Sequence, residues 1–208
     1  AQTVKEDVAF GPTNLGLSAC DVTSAVNGAL ELVGLSYKAD ASPFELSGGQ
    51  QRLCALAGVL AMRPEVLVLD EPTSGLDPYY CSKLRKIINA VLKDTCTVIE
   101  LTHSMEDAAK ADQIIMLNKG NLVFSGTPYQ TFTHFSEEEF RELGLGIPQA
   151  LTWARRLSSA TGINLGEPLT QSELIDTLVN VLPTNLDAAR TSGVAQVRNL
   201  SQGGYYGA

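Results

Sequence analysis

Asp70 and Glu71 stand together at the end of a short apolar run, Val66-Leu67-Val68-Leu69, and are followed at once by Pro72. A second apolar run, Thr97 to Leu101, leads into Thr102-His103, and upstream of both lies Ser47-Gly48-Gly49-Gln50. Hydrolysis of a nucleoside triphosphate needs a carboxylate to hold a divalent metal, a group to orient or deprotonate water, and hydrogen-bonding partners for the γ-phosphate. Asp70 suits the metal, Glu71 the base and His103 the γ-phosphate. At the start of a helix, Gly48 and Gly49 would let backbone N–H groups approach an anion with no side chain between, where the helix dipole adds partial positive charge. The Ser47 hydroxyl could donate to a phosphate oxygen if released from a capping role. Each group also has a plainer use: the Ser47 to Gln50 run as a helix cap, Asp70-Glu71 as an acidic turn, His103 as a structural histidine.

The elements that must position these groups are legible in the pattern. Val26, Leu30 and Val33 recur at helical spacing over Thr23 to Val33 and stop at Gly34. Ser47 and Gln50 have capping-box spacing, and Leu53, Leu56 and Leu60 mark one helical face up to Arg63-Pro64. Val66 to Leu69 predicts a parallel strand buried on both faces, with its carboxylates at the carboxyl end. Leu84, Ile87, Ile88, Val91 and Leu92 predict an amphipathic crossover helix, Thr97 to Leu101 a second strand, and Gln113 to Leu117 a third. The third strand turns through Asn118-Lys119-Gly120-Asn121 into Leu122-Val123-Phe124. Strands alternating with helices imply an α/β sheet, and open α/β sheets bind ligands at the carboxyl ends of their strands, where Asp70, Glu71 and His103 all fall.

From Thr127 the pattern is helical: one helix capped by Ser136 with Glu139, one from about Pro148 to Ala160 stopped by Gly162, and one capped by Thr170 with Glu173 that carries Leu174 to Leu182. Residues 183–208 are expected to form a disordered tail. Glu137-Glu138-Glu139 reads as an acidic helix start, His134 between Phe132 and Phe135 as packing or surface, and Trp153 as core or interface.

A net charge of -8, from 15 Lys and Arg against 23 Asp and Glu, argues against a nucleic-acid surface, which requires clustered cations. With 44% hydrophobic residues, the 208-residue chain can build a core, yet no stretch approaches the roughly 18–20 apolar residues of a membrane-spanning helix. Cys20, Cys54, Cys81 and Cys96 match no metal-ligand spacing and read as unpaired thiols of a reduced, cytosolic protein. Ala1-Gln2-Thr3-Val4 lacks an initiator Met and enters directly into ordered-looking sequence, so the start is expected to lie within a domain.

Taken in order, Leu46-Ser47-Gly48-Gly49-Gln50, Val66 to Thr73, Ser74-Gly75-Leu76-Asp77 and Thr102-His103 resemble the signature motif, Walker B strand, D-loop and switch histidine of ABC-transporter ATPases. Thr3 to Pro12, Glu142 to Leu145 and Ile147-Pro148 are similar to segments of the energy-coupling factor (ECF) branch and the related cobalt and nickel importers. The resemblance implies the C-terminal part of a P-loop, RecA-like ABC ATPase domain: part of the helical subdomain over residues 1–63, the RecA-like core over 64–126 and a C-terminal helical extension over 127–182. It implies ATP and Mg2+ as cofactors, with Asp70 on the metal, Glu71 and His103 catalytic, and Ser47, Gly48, Gly49, Gln50 and Asp77 binding nucleotide held by a second ATPase subunit.

Further partners implied by the family are a transmembrane coupling protein and a substrate-binding membrane subunit that takes up a vitamin or transition-metal ion, with the ATPase peripheral on the cytoplasmic face of the membrane. Two departures stand out, and a smaller third: no G-x-x-x-x-G-K-[ST] loop occurs in the chain; the family's Q-loop glutamine would lie upstream of Thr3, a role not assigned to Gln2; and Leu53 stands where many members carry a basic residue, although Arg52 precedes it. The alternatives are a non-catalytic interaction fragment that docks on a sister ATPase or coupling protein, or a soluble ABC-type ATPase of DNA repair or translation.

Overall fold

The computed structural model describes residues 1–92 and 96–191, with the side chains of 89–92 and 182–191 left out of the description. The chain divides into two compact units, one spanning Ala1–Thr102 and one beginning at His103.

The first unit opens with three helices, α1 (Val4–Asn14), α2 (Ala19–Val33) and α3 (Gly48–Leu60). Thr3 and Glu6 form a capping box at the start of α1, and Val4, Val8 and Pro12, four residues apart, present one buried face. Ser18 caps α2 by accepting from the Asp21 N–H, which starts the helix earlier than the apolar spacing from Thr23 suggested. The stop is where the sequence placed it: Gly34 has φ of 66°. Val26, Leu30 and Val33 of α2 pack with Val4 and Val8 of α1 and with Leu53, Leu56 and Ala57 of α3. Each fully buried side chain of this size is worth about 1.5–3 kcal/mol of transfer free energy, so this apolar layer holds the start of α3 in place.

Behind the helices, β1 (Val66–Asp70) pairs in parallel with β2 (Thr97–Leu101), with Asp70 opposite Leu101. Between them α4 (Pro78–Leu92) crosses over and places Leu84, Ile87 and Ile88 in the same core. The expectation that β1 is buried on both faces is corrected. Leu67 is buried, but Val66 and Val68 are 51% and 59% exposed, and Ile99 on β2 is 50% exposed. The physical reason is that, among the described residues, the sheet has two strands and the core helices cover only the face that carries Leu67.

The second unit contains the one-turn helix α5 (Met105–Ala108), the hairpin β3 (Ile114–Asn118) and β4 (Asn121–Gly126), and helices α6 (Pro128–His134), α7 (Glu137–Glu142), α8 (Gln149–Thr161) and α9 (Gln171–Thr191). The third strand pairs antiparallel with β4, because Lys119 and Gly120 adopt φ of 51° and 80° and close a two-residue turn whose twist favours a hairpin.

Phe132, Phe140, Leu151, Met116 and Leu169 form the core of this unit, with Phe132 and Phe140 stacked at 5.5 Å. His134 packs as expected, stacked on Phe124 at 4.7 Å and meeting Phe135 edge-on. Trp153 is not core: it is 54% exposed, with the Arg156 guanidinium 6.0 Å from its ring. Helix α9 runs through Pro183 to Thr191, past the point where the sequence reading placed a disordered tail. Proline removes a single N–H from the ladder, and Ala188-Ala189-Arg190 are strong helix formers. The rest of that expected tail, 192–208, lies outside the described residues.

Candidate nucleotide site

The N-terminus of α3 is built by a reciprocal cap. Ser47 Oγ accepts from the Gln50 N–H at 3.3 Å, and Gln50 Oε1 accepts from the Ser47 N–H at 2.9 Å. Capping uses only the acceptor side of the hydroxyl oxygen, so the Ser47 hydrogen stays available for donation without breaking the cap. The Gln50 amide donates from Nε2 to the Tyr37 hydroxyl at 3.1 Å, which fixes the carboxamide orientation. Ser47 and Gly48 are exposed, and a Cβ built on Gly48 would meet nothing within 4 Å, so the first turn of α3 is open there. Gly49 is different: a Cβ at this position would run into the ring of Tyr80.

At the carboxyl end of β1, Asp70 is exposed and Glu71 half-buried. The Glu71 N–H donates to the Leu101 carbonyl at 2.9 Å, which continues the parallel ladder one residue beyond the strand. Glu71 then adopts φ of 45°, the left-handed region that a side chain normally avoids. Its carbonyl accepts from the Ser74 N–H at 3.1 Å and from Arg52 Nη1 at 3.4 Å, and Arg52 also reaches the Pro72 carbonyl at 3.3 Å. Four hydrogen bonds thus hold the turn that presents the Glu71 side chain. Non-glycine residues in such conformations concentrate at functional sites, where surrounding structure over-determines them.

The loop ends at Asp77, whose Oδ1 accepts from the N–H groups of Tyr79 and Tyr80 at 2.9 and 3.1 Å and so caps α4, with Pro78 in the first helical position. Tyr80, in that first turn, lays its ring on Gly49 and brings its hydroxyl within 3.4 Å of Ser47 Oγ. Within the first unit, then, the chain itself ties the start of α3 to the segment that follows β1, through Tyr80 and Arg52. Tyr37 and Tyr80 were not legible as site residues; the one hint for Tyr80 was its place in the first turn after Asp77-Pro78. His103 is exposed and follows the end of β2 by two residues, immediately before Ser104, the N-cap of α5. It opens the second unit.

Asp70 offers hard oxygen donors at a strand end, the donor type magnesium takes, usually as one or two carboxylates beside substrate phosphates and water. The residues present therefore fit a phosphate-bound magnesium. Among the described residues no group of three or more His, Cys, Asp or Glu could hold a metal by itself, and no helix is long and apolar enough to cross a membrane. Cys54, buried on α3, donates towards Asp7 Oδ2 at 3.8 Å; burial first, and then the Asp7 charge, push its thiol up to about 11.

A parallel strand that ends in paired carboxylates, beside a helix opened by glycines, is an α/β arrangement of the kind that binds ligands at the carboxyl ends of its strands. A protein-family profile described as an AAA domain, putative AbiEii toxin of a type IV toxin–antitoxin system, matches residues 18–106. The ECF transporter ATP-binding protein EcfA2 of Bacillus cereus is 44% identical over 185 residues, 87% of this chain and 62% of that protein. Its counterpart in Clostridioides difficile is 44% identical over 81% of this chain and 59% of that protein.

Among solved structures, CbiO1 of Clostridium perfringens, described as part of the ABC transporter complex CbiONQ, aligns with a TM-score of 0.60 at 30% identity over 78% of this chain and 62% of that one. An ATP-binding cassette of an ABC transporter aligns with a TM-score of 0.60 at 22% identity, over 70% of this chain and 63% of that one, which speaks for the fold alone. The fold is that of ABC ATPase domains, and over 87% of its length the chain is similar to ATP-binding subunits of the energy-coupling factor type. It spans about three-fifths of the length of these relatives, 62% in the first comparison.

Proposed function

We propose that this chain carries half of each of two composite ATP sites in a dimeric ATPase that powers a membrane importer for a vitamin or transition-metal ion. The observation that carries this reading is Glu71: a side-chain-bearing residue held at φ of 45° by its neighbours, beside Asp70 at the carboxyl end of β1. In the working assembly Glu71 accepts a proton from the attacking water, and Asp70 holds magnesium. When bound, magnesium neutralises charge on the phosphate oxygens. Ser47, Gly48, Gly49 and Gln50 face the triphosphate held by a second ATPase subunit, where the α3 N-terminus and the Ser47 hydroxyl supply donors. Asp77 caps the helix that follows and holds the loop between these halves, and His103 contacts the γ-phosphate.

The sequence contains no G-x-x-x-x-G-K-[ST] loop, so a cradle and lysine for the β- and γ-phosphates must come from outside these 208 residues. The chain by itself is therefore expected to turn over no ATP above background. Its further partners are a transmembrane coupling protein and a substrate-binding membrane subunit, which places it on the cytoplasmic face of the membrane.

The test is Glu71→Gln in the complete assembly. An amide cannot accept the proton, so ATP binding should persist while hydrolysis falls about 10²–10⁴-fold, the usual worth of a general base. Near-normal turnover would remove Glu71 from that role.

A further inference from the structure

The proposed reading asks the Ser47 hydroxyl and the first turn of α3 to meet a phosphate, and in this structure part of that ground is occupied from within the chain. The Tyr80 ring fills the space beside Gly49 that a Cβ would need, and its hydroxyl lies 3.4 Å from Ser47 Oγ. Where Ser47 is the donor, its single hydrogen serves either the tyrosine or a phosphate oxygen; where Tyr80 donates to the second lone pair of Ser47 Oγ, the ring and hydroxyl still lie against the helix end. The Tyr80 backbone is not free to retreat: its N–H and that of Tyr79 are both held by Asp77. Only rotation of the side chain can clear the helix end.

We propose that Tyr80 is a resting-state cover on Ser47 and Gly49, which the triphosphate displaces by turning the tyrosine side chain away, so that Tyr80 sets the ATP concentration at which the composite site fills. The inference rests on the reading that Ser47 and Gly49 bind nucleotide. The direction of the competition follows from the chemistry of the two partners. A neutral hydroxyl–hydroxyl contact at 3.4 Å is weak, whereas a hydroxyl donating to a phosphate oxygen is charge-assisted. The triphosphate therefore wins, but at an affinity lowered by whatever the ring and hydroxyl gain in the covered state. Asp77 thereby acts on the signature of its own chain as well as on α4, because it fixes the pivot from which Tyr80 reaches Ser47. Tyr80 is a positioning residue in this account: it leaves before chemistry begins, so it changes filling and not turnover.

The experiment is steady-state ATP hydrolysis by the complete ATPase assembly, as a function of ATP concentration, for the parent and for Tyr80→Phe, Tyr80→Ala and Ser47→Ala. Circular dichroism and sizing should confirm intact folding, and Tyr80→Phe keeps the ring in case the alanine variant fails to fold. Tyr80→Ala should lower the half-saturating ATP concentration about three- to tenfold and Tyr80→Phe about twofold, with kcat unchanged within about twofold. Ser47→Ala should raise it. Binding of a non-hydrolysable ATP analogue to the Tyr80→Ala assembly should tighten by the same factor. If half-saturation is unchanged or raised in both Tyr80 variants while Ser47→Ala still raises it, Tyr80 is no cover and the inference is overturned. If Ser47→Ala is also without effect, the assignment of the α3 N-terminus to nucleotide binding fails with it.

Discussion

Replacing Glu71 by glycine should make the protein more stable than replacing it by glutamine, although both changes remove the base. Glutamine keeps the side chain and hence the steric conflict of φ 45° between Cβ and the backbone, which costs about 1–2 kcal/mol in the left-handed region. Glycine removes the conflict but gives the unfolded chain extra freedom, which takes back about 0.5–1 kcal/mol. The backbone bonds that define the turn, from Glu71 N–H to Leu101, and from Ser74 and Arg52 to the Glu71 carbonyl, do not involve the side chain and survive both changes. The net expectation is that Glu71→Gly exceeds Glu71→Gln in stability by about 0.5–1 kcal/mol. With an m-value of about 2 kcal/mol/M in urea, that is a midpoint difference of about 0.3–0.5 M at unchanged slope. Both variants should lose hydrolysis to a similar degree in the complete assembly. A glycine variant no more stable than the glutamine variant would show that the conformation carries no strain. The inference from strained backbone to functional side chain would then be refuted, since a residue that costs nothing where it stands needs no functional reason to stay there.

Two further outcomes follow from the two cores. The Cys54 thiol, raised to about 11 against an ordinary 9.0, is protonated in both folded and unfolded states below pH 9, so its contribution to stability is intact there and declines as pH rises from about 9 towards 11; Cys54→Ala should flatten that decline in urea titrations, and alkylation at pH 8 should label exposed Cys20 far faster than Cys54. Phe132→Ala removes a ring that is 1% exposed and stacked on Phe140, and should cost about 3–5 kcal/mol by urea unfolding; a loss under about 1 kcal/mol would mean that the second unit is not organised around this pair.

What could be read in the sequence was what neighbours in sequence determine. The Ser47–Gln50 and Ser136–Glu139 boxes, the stops at Gly34 and Gly162, and β2 at Thr97–Leu101 all follow from residues within one turn or one strand, and the structure has them. Contacts between distant positions were not encoded in any window. Tyr80 on Gly49 and Arg52 on Glu71 depend on the path of the chain between them, and a backbone angle such as that of Glu71 has no residue signature when the residue is not glycine. The apolar run of β1 correctly announced a strand. Composition alone cannot say whether its second face is covered, since Val66 and Val68 are as apolar when exposed as when packed. The β3–β4 hairpin was legible locally, from the Asn118-Lys119-Gly120-Asn121 turn between two apolar runs.

The departure at Leu53 resolves on the same physical terms. Successive residues on a helix point about 100° apart, so a cation and an apolar side chain cannot exchange places without changing which of them meets the core. On α3 the inward face is Leu53, Leu56 and Ala57, with Leu53 only 1% exposed, packed among the residues that anchor α1 and α2. An arginine there would have to take its charge into that layer unpaired, at a cost of several kcal/mol. One position earlier, Arg52 lies on the exposed side of the same turn and reaches the carbonyls of Glu71 and Pro72. The cation that follows Ser47–Gln50 in this chain is therefore Arg52, on a face where its charge is solvated and from which it touches the backbone that sets the angle of Glu71.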